Sequence, residues 1–364
     1  MSQAYSSNQI FTGETWLADH VVVCDGERIE SIVHRSAYGG SVVECPGSFL
    51  APAFIDLQIY GAGGHLFAVY PDQQSLQILV EYSASGGAAV CLPTIATNTK
   101  EVVFNAIDAV SEYMQNGGKG ILGLHLEGPW INPLKRGAHI ESLIHPPTLT
   151  EVQELLDYGK DVIRMITLAP EICPREIAQL IKSRGIIISA GHSNATMEEA
   201  SSAFEEYVTT VTHLFNAMSP FTHRAPGLAG ATMDNSKIMA SIIPDGHHVD
   251  YAAIRIAKQV MKERLFAITD AVTETGTGHY QHYSAGDKFE AGGILSGSAL
   301  TMSKAAANLI QHAGIEKEEA LKMCSLYPAR VLGMEKELGM IAGGYKIAMV
   351  ALDDDLNVKQ LITY

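Results

Sequence analysis

The chain of 364 residues is long enough to bury a large core, as one large domain or as two ordinary ones. Hydrophobic residues make up 47% and charged residues 18% of it, which is the composition of a folded globular protein. The net charge of -15 argues against a nucleic-acid surface or an anionic membrane as partner, although a local basic pocket for a small anion remains compatible with it.

Cysteine usage and the N-terminal segment indicate the compartment. The 5 cysteines are widely spaced, and Cys24, Cys91 and Cys324 lie in apolar segments, so we expect reduced core residues. The N-terminal segment has no basic region before a long apolar run, and no window approaches the ~18 uninterrupted apolar residues of a membrane span. We therefore expect a soluble, cytoplasmic protein.

The first 50 residues carry strand signals. Two β-rich runs flank Asp25 and Gly26, a pair that is typical of a hairpin turn. From residue 54 the pattern changes to short apolar runs separated by segments of helical length. Eight runs occur, at residues 54–59, 88–93, 121–127, 162–168, 185–192, 208–215, 238–245 and 265–271.

The segments between the runs complete the pattern of the fold. Residues 72–85, 100–115, 196–206 and 251–263 carry helical spacing or capping signals. Eight short buried strands that alternate with helices predict a (β/α)8 TIM-type barrel. In such a barrel the residues that carry chemistry collect at the carboxyl ends of the strands.

The two chain ends predict a second, smaller domain. Residues 298–312 have the pattern of a final helix, after which residues 343–364 return to β-like alternation. Because both ends are β-rich, we expect them to pair into one small β-sandwich. The predicted boundaries are 1–50 and 335–364 for the small domain and 51–334 for the barrel.

Three side chains at strand ends suggest a metal site. Glu127, His192 and His213 follow three different predicted strands, which a barrel brings onto one rim. A single histidine at a strand end is more often structural than a ligand. One carboxylate and two imidazoles with an open fourth position, however, are typical of catalytic zinc, and the same donors accept iron or manganese.

Two further residues are candidates for proton transfer and carbonyl binding. Asp270 is either a cap or buried acceptor, or the base beside a metal-activated water. His139, in the loop after Glu127, is placed to contact a substrate carbonyl, although a loop histidine alone decides nothing. His125 lies on the same strand face as Glu127, and we expect it to be structural.

A polar loop and a histidine pair suggest an anion site. Arg224 lies in a loop rich in Pro and Gly, where an arginine suits a phosphate group. One of the adjacent His247 and His248 is placed to complete that site. The glycines at 61, 63 and 64 lack the Lys-Ser/Thr of a nucleotide-binding loop, so we discount them as a phosphate cradle.

Ten sequence blocks between about residues 50 and 345 form a recognisable set. They are LAPAFIDLQIYGAGG, LPTIAT, GLHLEGPWINPLKRGAH, LAPE, SAGHSNAT, THLFNAMSPFTHRAPGLAGA, DGHHVDYAAIR, ITDA, LSGSALTM and LYPAR. Together they resemble the N-acetylglucosamine-6-phosphate deacetylase family of the amidohydrolase superfamily. The resemblance implies a (β/α)8 barrel with a small β-sandwich, and a homodimer. It also implies hydrolysis of the acetamide of N-acetylglucosamine 6-phosphate to glucosamine 6-phosphate and acetate, in amino-sugar catabolism.

The resemblance also implies roles for individual residues. Glu127, His192 and His213 match ligands of one divalent metal per subunit, expected to be Zn2+ with Fe2+ or Mn2+ as alternatives. Asp270 matches the catalytic acid and base, and His139 matches the residue that polarises the acetamide carbonyl. Substrate contacts are implied at nine positions: Gln58, Ala138, Asn216, Ala217, Arg224, His248, Leu295, Ser296 and Gly297. Arg224 is expected to reach the phosphate of the neighbouring subunit's substrate.

The sequence departs from the superfamily pattern at one point and leaves alternatives open. Many members carry His-x-His at the end of the first strand, which supports a second metal, whereas this chain has Gln58 and Tyr60, so we expect a single metal. Residues 276–293 match no known pattern. The alternatives are a deacetylase of the galactosamine 6-phosphate epimer, another amidohydrolase such as a cyclic amide hydrolase or deaminase, and a catalytically silent sugar-phosphate-binding protein.

Overall fold

Eight parallel strands form one sheet in the computed structural model, which describes residues 3–286 and 288–364. Strands that follow each other along the chain are neighbours in the sheet, and the recorded pairings between them are parallel. The strands are Phe54–Ile59, Ala88–Ala96, Leu124–Glu127, Ile163–Leu168, Ile187–Ala190, Thr210–Val211, Met239–Ile242 and Leu265–Ala267. Each lies within or across one of the eight predicted apolar runs, so those runs are confirmed as strands.

The first and last strands close the sheet into a barrel. Ile59 pairs with Ala271 in a parallel bridge. The backbone N–H of Asp270 donates to Gln58 O at 3.0 Å, and that of Tyr60 donates to Ala271 O at 2.9 Å. The predicted (β/α)8 barrel is therefore confirmed.

Helices connect the strands much as the sequence predicted. Thr148 and Thr196 begin two of them with capping boxes, in which Glu151 and Glu199 return the hydrogen bond. The helices are Gln73–Ser85, Lys100–Gln115, Leu149–Tyr158, Arg175–Ser183, Met197–Glu206, Gly227–Asp234, Tyr251–Met261, Met302–Gln311, Lys317–Cys324 and Leu326–Val331. Among the described helices, none is both long and apolar enough to cross a membrane.

The chain divides into two compact units. One contains the described residues of Met1–Asp56, Glu81–Val90 and Thr301–Tyr364, and the other those of Leu57–Val80 and Cys91–Leu300. The predicted boundaries at residues 50 and 335 stay predictions.

Strands from both chain ends build two sheets in the first unit. The four-stranded sheet has the order Arg28–His34, His20–Asp25, Gln3–Ser6, Val43–Glu44. The five-stranded sheet has the order Val358–Thr363, Ala348–Leu352, Phe49–Pro52, Gln9–Phe11, Trp16–Ala18. Buried apolar side chains of both sheets, such as Val22 and Met349, form one cluster. The predicted small β-sandwich from both ends is therefore confirmed, as is the hairpin at Asp25 and Gly26.

Two small antiparallel elements complete the strands of the second unit. Gly61–Ala62 pairs with His65–Leu66, directly after the first barrel strand. The second element is a three-stranded sheet of Tyr283–Ser284, Lys288–Ala291 and Ile294–Ser298. It lies within and just after the segment that matched no known pattern.

A buried polar chain fills part of the barrel interior. The carbonyl of Leu57 lies 3.1 Å from His125 Nδ1 and accepts its N–H, so Nε2 accepts from the Thr167 hydroxyl at 2.8 Å. Thr167 in turn lies 2.7 Å from the Thr212 hydroxyl. Burial lowers the pKa of His125 to about 4, so the imidazole is neutral. These contacts agree with the structural role expected for His125.

Candidate active site

A cavity of about 180 Å³ opens at the carboxyl ends of the barrel strands. Five of its lining residues are those predicted to carry the chemistry: Glu127, His139, His192, His213 and Asp270. Six lining residues are predicted substrate contacts: Ala138, Asn216, Ala217, His248, Leu295 and Ser296. The structure thus brings together in one cavity residues that lie far apart along the chain.

Three predicted substrate contacts, Gln58, Arg224 and Gly297, are not among the described residues that line this cavity. Arg224 is exposed. Gly297 is buried with φ of +152°, and a Cβ there would lie 2.5 Å from Val272 Cγ1, so only glycine fits. Gln58 is buried and binds two carboxylates, as described below. The substrate roles of these three residues stay predictions.

Three buried atoms converge as the ligands of one cation do. Glu127 Oε1 lies 3.3 Å from His192 Nε2 and 3.0 Å from His213 Nε2, and the two nitrogens are 3.1 Å apart. The three side chains are between 3% and 6% exposed. Because the Lys135 carbonyl can only accept, His192 Nδ1 carries the hydrogen over their 2.9 Å contact, which leaves Nε2 with a free lone pair. The donor set therefore fits a divalent metal.

His139 lies in the same cluster but is oriented as a hydrogen-bond donor. A second possible ligand group contains Glu127, His139 and His192, whose ligand atoms all lie within 4.8 Å of one another. The backbone N–H of Thr97 donates to His139 Nδ1 at 3.3 Å, however, so in the neutral ring the hydrogen resides on Nε2. That N–H donates to Glu127 Oε2 at 3.1 Å. His139 is thus set to donate to an oxygen rather than to bind a metal.

Electrostatics favour a cation at this cluster. Burial by itself raises the pKa of the Glu127 carboxyl, but the electrostatic interaction with His192 and the close contacts with His139, His192 and His213 outweigh it and hold that pKa well below its usual range. Burial lowers the pKa of His139 to about 4 and also lowers that of His213. The ionised Glu127 carboxylate is a buried negative charge, which a metal cation stabilises.

Three residues of the site have left-handed backbone conformations, which set the direction of their side chains. His192, His213 and Asp270 have φ of 48°, 36° and 54°, values that non-glycine residues seldom adopt. All three lie shortly after the end of a barrel strand. The predicted apolar runs reach or pass these residues, but the strands end before them because the chain leaves the sheet in this conformation. Such backbone strain is concentrated at functional sites.

Gln58 and Tyr60 occupy the place of the absent His-x-His pair. Gln58 Nε2 lies 2.8 Å from Asp270 Oδ1, 3.1 Å from Glu127 Oε1 and 2.7 Å from the Tyr60 hydroxyl. The Tyr60 hydroxyl donates to Glu127 Oε2. Burial and the nearby carboxylates raise the pKa of Tyr60 well above its usual value, so the phenol stays protonated.

A buried carboxylate orients His248 at the edge of the site. Asp245 Oδ2 lies 2.6 Å from His248 Nδ1, and its Oδ1 accepts the backbone N–H of His247 and of His248 at 2.8 Å. Burial raises the pKa of Asp245, but the bonds from His248 outweigh it and lower the pKa. Since the ionised carboxylate holds Nδ1–H, His248 Nε2 is left for other partners, and it lies 4.0 Å from Asp270 Oδ2.

Comparison with known proteins identifies the family. Residues 49–363 match the model of the amidohydrolase family. The chain belongs to this family. Among its relatives, the N-acetylglucosamine-6-phosphate deacetylase of Haemophilus influenzae is 33% identical over 97% of this chain and 95% of the relative. The N-acetylgalactosamine-6-phosphate deacetylase of Escherichia coli O157:H7 is 32% identical over 99% and 98%.

A solved structure confirms the amidohydrolase architecture over the whole chain. The crystal structure of N-acetylglucosamine-6-phosphate deacetylase from Pasteurella multocida superposes with a TM-score of 0.93 at 34% identity. The match covers 100% of this chain and 98% of that one. The family resemblance inferred from the ten blocks is therefore confirmed.

This amidohydrolase also has cavity residues that sequence reasoning missed. Tyr280 and His282 line the cavity from the segment that matched no pattern. The Tyr280 hydroxyl donates to Thr97 O at 2.6 Å, and His282 Nδ1 lies 2.8 Å from the Ser296 hydroxyl. A hairpin signal at Gly292 and Gly293 was available in the sequence, but nothing local shows that the preceding residues reach the barrel rim.

Glu171 follows the barrel strand Ile163–Leu168 and connects two loops of the site. Its Oε1 accepts from Asn132 Nδ2 at 2.9 Å and from the Asn194 backbone at 2.6 Å, while Oε2 accepts from the Ser193 hydroxyl at 2.7 Å. Glu171 thus ties together the loops that follow Glu127 and His192.

Proposed function

We propose that this amidohydrolase hydrolyses the acetamide of N-acetylglucosamine 6-phosphate, releasing glucosamine 6-phosphate and acetate. The observation that carries the proposal is the arrangement of Asp270 beside the Glu127, His192 and His213 cluster. Gln58 Nε2 lies within hydrogen-bond distance of both Glu127 and Asp270, at 3.1 and 2.8 Å. A metal-binding group and a separate carboxylate base therefore face one cavity. The names of the relatives supply the substrate.

The side chains have distinct roles in the proposed reaction. A divalent cation held by Glu127, His192 and His213 supplies the Lewis acidity that lowers the pKa of water from about 15.7 towards ~7. Asp270 accepts the proton of the attacking water and returns it to the nitrogen of the leaving amine, so that the C–N bond breaks with a neutral amine. His139 Nε2–H donates to the carbonyl oxygen, where negative charge develops.

The galactosamine epimer is the second candidate substrate. One relative at 33% identity is named for the glucosamine compound and another at 32% for the galactosamine compound, so overall similarity does not separate the two. Comparing kcat/KM for the two N-acetylhexosamine 6-phosphates decides between them.

One assay series tests the activity against its rivals. Metal-loaded protein is incubated with N-acetylglucosamine 6-phosphate, its galactosamine epimer, unphosphorylated N-acetylglucosamine and adenosine. Acetate from the phosphorylated amino sugars is the expected result. Ammonia from adenosine would instead establish a deaminase. Tight binding of a sugar phosphate without acetate release would establish a binding protein and refute the enzyme.

We further propose a homodimer in which Arg224 binds the phosphate of the partner subunit's substrate. Arg224 is exposed, and among the described residues it does not line the cavity of its own subunit, which supports a role across an interface. Arg224→Ala should raise KM for the sugar phosphate, whereas Arg184→Ala, at another exposed arginine, should leave KM unchanged. A protein that sediments as an active monomer contradicts this proposal.

Zinc is the proposed native metal, with iron and manganese as alternatives, because one carboxylate and two imidazoles suit all three ions. Elemental analysis of protein purified without added metal identifies the ion. The five cysteines are free and buried, which supports a reducing compartment and hence the cytoplasm.

A further inference from the structure

Protein donors join the two carboxylates of the site. Gln58 Nε2 lies 3.1 Å from Glu127 Oε1 and 2.8 Å from Asp270 Oδ1. The Tyr60 hydroxyl lies 2.7 Å from Gln58 Nε2 and donates to Glu127 Oε2. Glu127 and Asp270 are 3% and 7% exposed. Buried carboxylates need hydrogen-bond donors or a cation, and Gln58 and Tyr60 provide the donors.

The two oxygens of Glu127 have different partners. Oε1 faces the lone-pair side of His192 at 3.3 Å and His213 Nε2 at 3.0 Å. Oε2 accepts from the Tyr60 hydroxyl and, at 3.1 Å, from His139 Nε2. Because two donors hold Oε2 and Oε1 faces both imidazoles, a cation shared with the imidazoles would bind the carboxylate through Oε1, beside the Gln58 amide at 3.1 Å. The phenol therefore fixes which oxygen is presented to the metal.

Of the two donors to Glu127 Oε2, only His139 changes its acceptor during the proposed reaction. In the proposed mechanism His139 turns its Nε2–H from Glu127 to the substrate carbonyl. Oε2 then loses one of its two donors inside a buried site, where an unsatisfied carboxylate oxygen is destabilising. Tyr60 has no role with the substrate carbonyl, so its bond to Oε2 persists through the step.

We propose that Tyr60 is a positioning residue whose hydroxyl orients Glu127 for monodentate metal binding and keeps Oε2 bonded when His139 engages the substrate. This proposal rests on the metal-dependent function proposed above. Tyr60 acts through Glu127 and touches no reacting atom. Tyr60 occupies the position of the second histidine of a His-x-His sequence. In this chain its phenol holds the Glu127 carboxylate by a hydrogen bond, where a second cation would hold it by charge.

The variant Tyr60→Phe removes the hydroxyl and keeps the ring. Tyr158→Phe is the matched control, because the Tyr158 hydroxyl also donates to a carboxylate, that of Asp108 at 2.8 Å, at an exposed position of the helix Lys100–Gln115. The Kd for Zn2+ is measured by chelator competition on metal-free protein without substrate. Loss of a hydrogen-bond partner of a metal ligand should raise that Kd by about 10- to 100-fold in Tyr60→Phe only.

Two further readouts separate positioning from packing. The unfolding midpoint of metal-free Tyr60→Phe should fall below that of the control because Glu127 loses a buried donor, and with saturating metal kcat should fall while KM stays unchanged. A Kd for Zn2+ indistinguishable from that of Tyr158→Phe overturns the proposal. So does a lower midpoint of the metal-free protein with unchanged Kd, which would make Tyr60 a packing residue.

The outcomes also separate this proposal from the proposed function. If Tyr60→Phe weakens Zn2+ binding but the wild-type protein releases no acetate, the function fails and the positioning role stands. If the wild-type protein releases acetate and Tyr60→Phe binds Zn2+ and turns over normally, the function stands and the positioning role fails.

Discussion

Substitution Asp270→Asn removes one proton acceptor from the cavity and changes little else. Asp270 is 7% exposed, and its Oδ1 lies 2.8 Å from Gln58 Nε2, a bond that the amide oxygen of asparagine also accepts. Asparagine has nearly the same shape as aspartate. Because Asp270 lies outside the proposed ligand set, the variant should fold and hold one metal per subunit, like the wild-type protein.

The expected loss is large because Asp270 acts twice in each turnover. A positioned general acid or base contributes about 10²- to 10⁴-fold, so we expect kcat to fall by about 10³- to 10⁴-fold. That loss corresponds to about 4 to 5.5 kcal/mol in the activation free energy. An amide neither takes the proton of water nor returns one to the amine, so no residual pathway through residue 270 remains.

The assay measures acetate release at saturating substrate together with metal content. Asp108→Asn makes the same chemical change at an exposed carboxylate that accepts from the Tyr158 hydroxyl, and it should leave both quantities unchanged. Turnover near the wild-type rate in metal-loaded Asp270→Asn refutes the acid and base role. Loss of metal from the variant refutes the assignment of Asp270 outside the ligand set.

Three further predictions address the metal, His139 and the pH dependence of stability. Chelation should lower the unfolding midpoint, since a ligand present at about 100 times its Kd stabilises by about 2.7 kcal/mol; an unchanged midpoint in calorimetry would contradict a resident metal. Thr97→Val removes the hydroxyl that lies 2.7 Å from His139 Nδ1, so kcat should fall about five-fold, the equivalent of one hydrogen bond, with metal content unchanged. Unaltered kcat would show that the Thr97 backbone N–H alone fixes the ring. Burial lowers the pKa of His282 from 6.5 to about 4. Between these two pH values His282 is protonated in the unfolded chain but not in the folded protein, so the free energy of unfolding decreases as the pH falls. The free energy of unfolding is measured with urea at about pH 7 and about pH 4.5. Its decrease at the lower pH should be smaller in His282→Gln than in the wild-type protein or in the exposed-site control His223→Gln. Equal decreases in the three proteins would contradict the role of His282.

The barrel was predictable because its signal is local. A strand buried on both faces appears in the sequence as a continuous apolar run, and eight such runs in alternation with helices admit few other folds. The first run, 54–59, coincides with the strand Phe54–Ile59. The run at 208–215 shrinks to Thr210–Val211, because apolar character continues into the left-handed turn at His213 and beyond it. Hydrophobicity reports burial, whereas the end of a strand depends on backbone conformation.

Part of the site was predictable for a related reason. Glu127, His192, His213 and Asp270 each follow a run, and the barrel rule places such residues on one rim whatever their separation along the chain. The directions of the hydrogen bonds follow from no such rule. His139 is a donor because Thr97, 42 residues away, directs a backbone N–H at its Nδ1. The sequence alone left His139 as a loop histidine of undecided role.

For the same reason the sequence shows that Gln58 and Tyr60 are not a His-x-His pair of metal ligands, but it does not show which residues they bond. Their failure to match His-x-His is a local fact, and it predicts the loss of one metal position. Their partners are distant: Gln58 contacts Asp270 across 212 residues, and Tyr60 contacts Glu127 across 67. Gln58 and Asp270 meet because the last strand closes against the first, through the bridge between Ile59 and Ala271. Tyr60 and Glu127 meet because they lie at the ends of the first and third strands of the same sheet. Closure of the barrel thus places the Gln58 amide between Glu127 and Asp270, so the single-metal site that we propose depends on the closed barrel together with Gln58 and Tyr60.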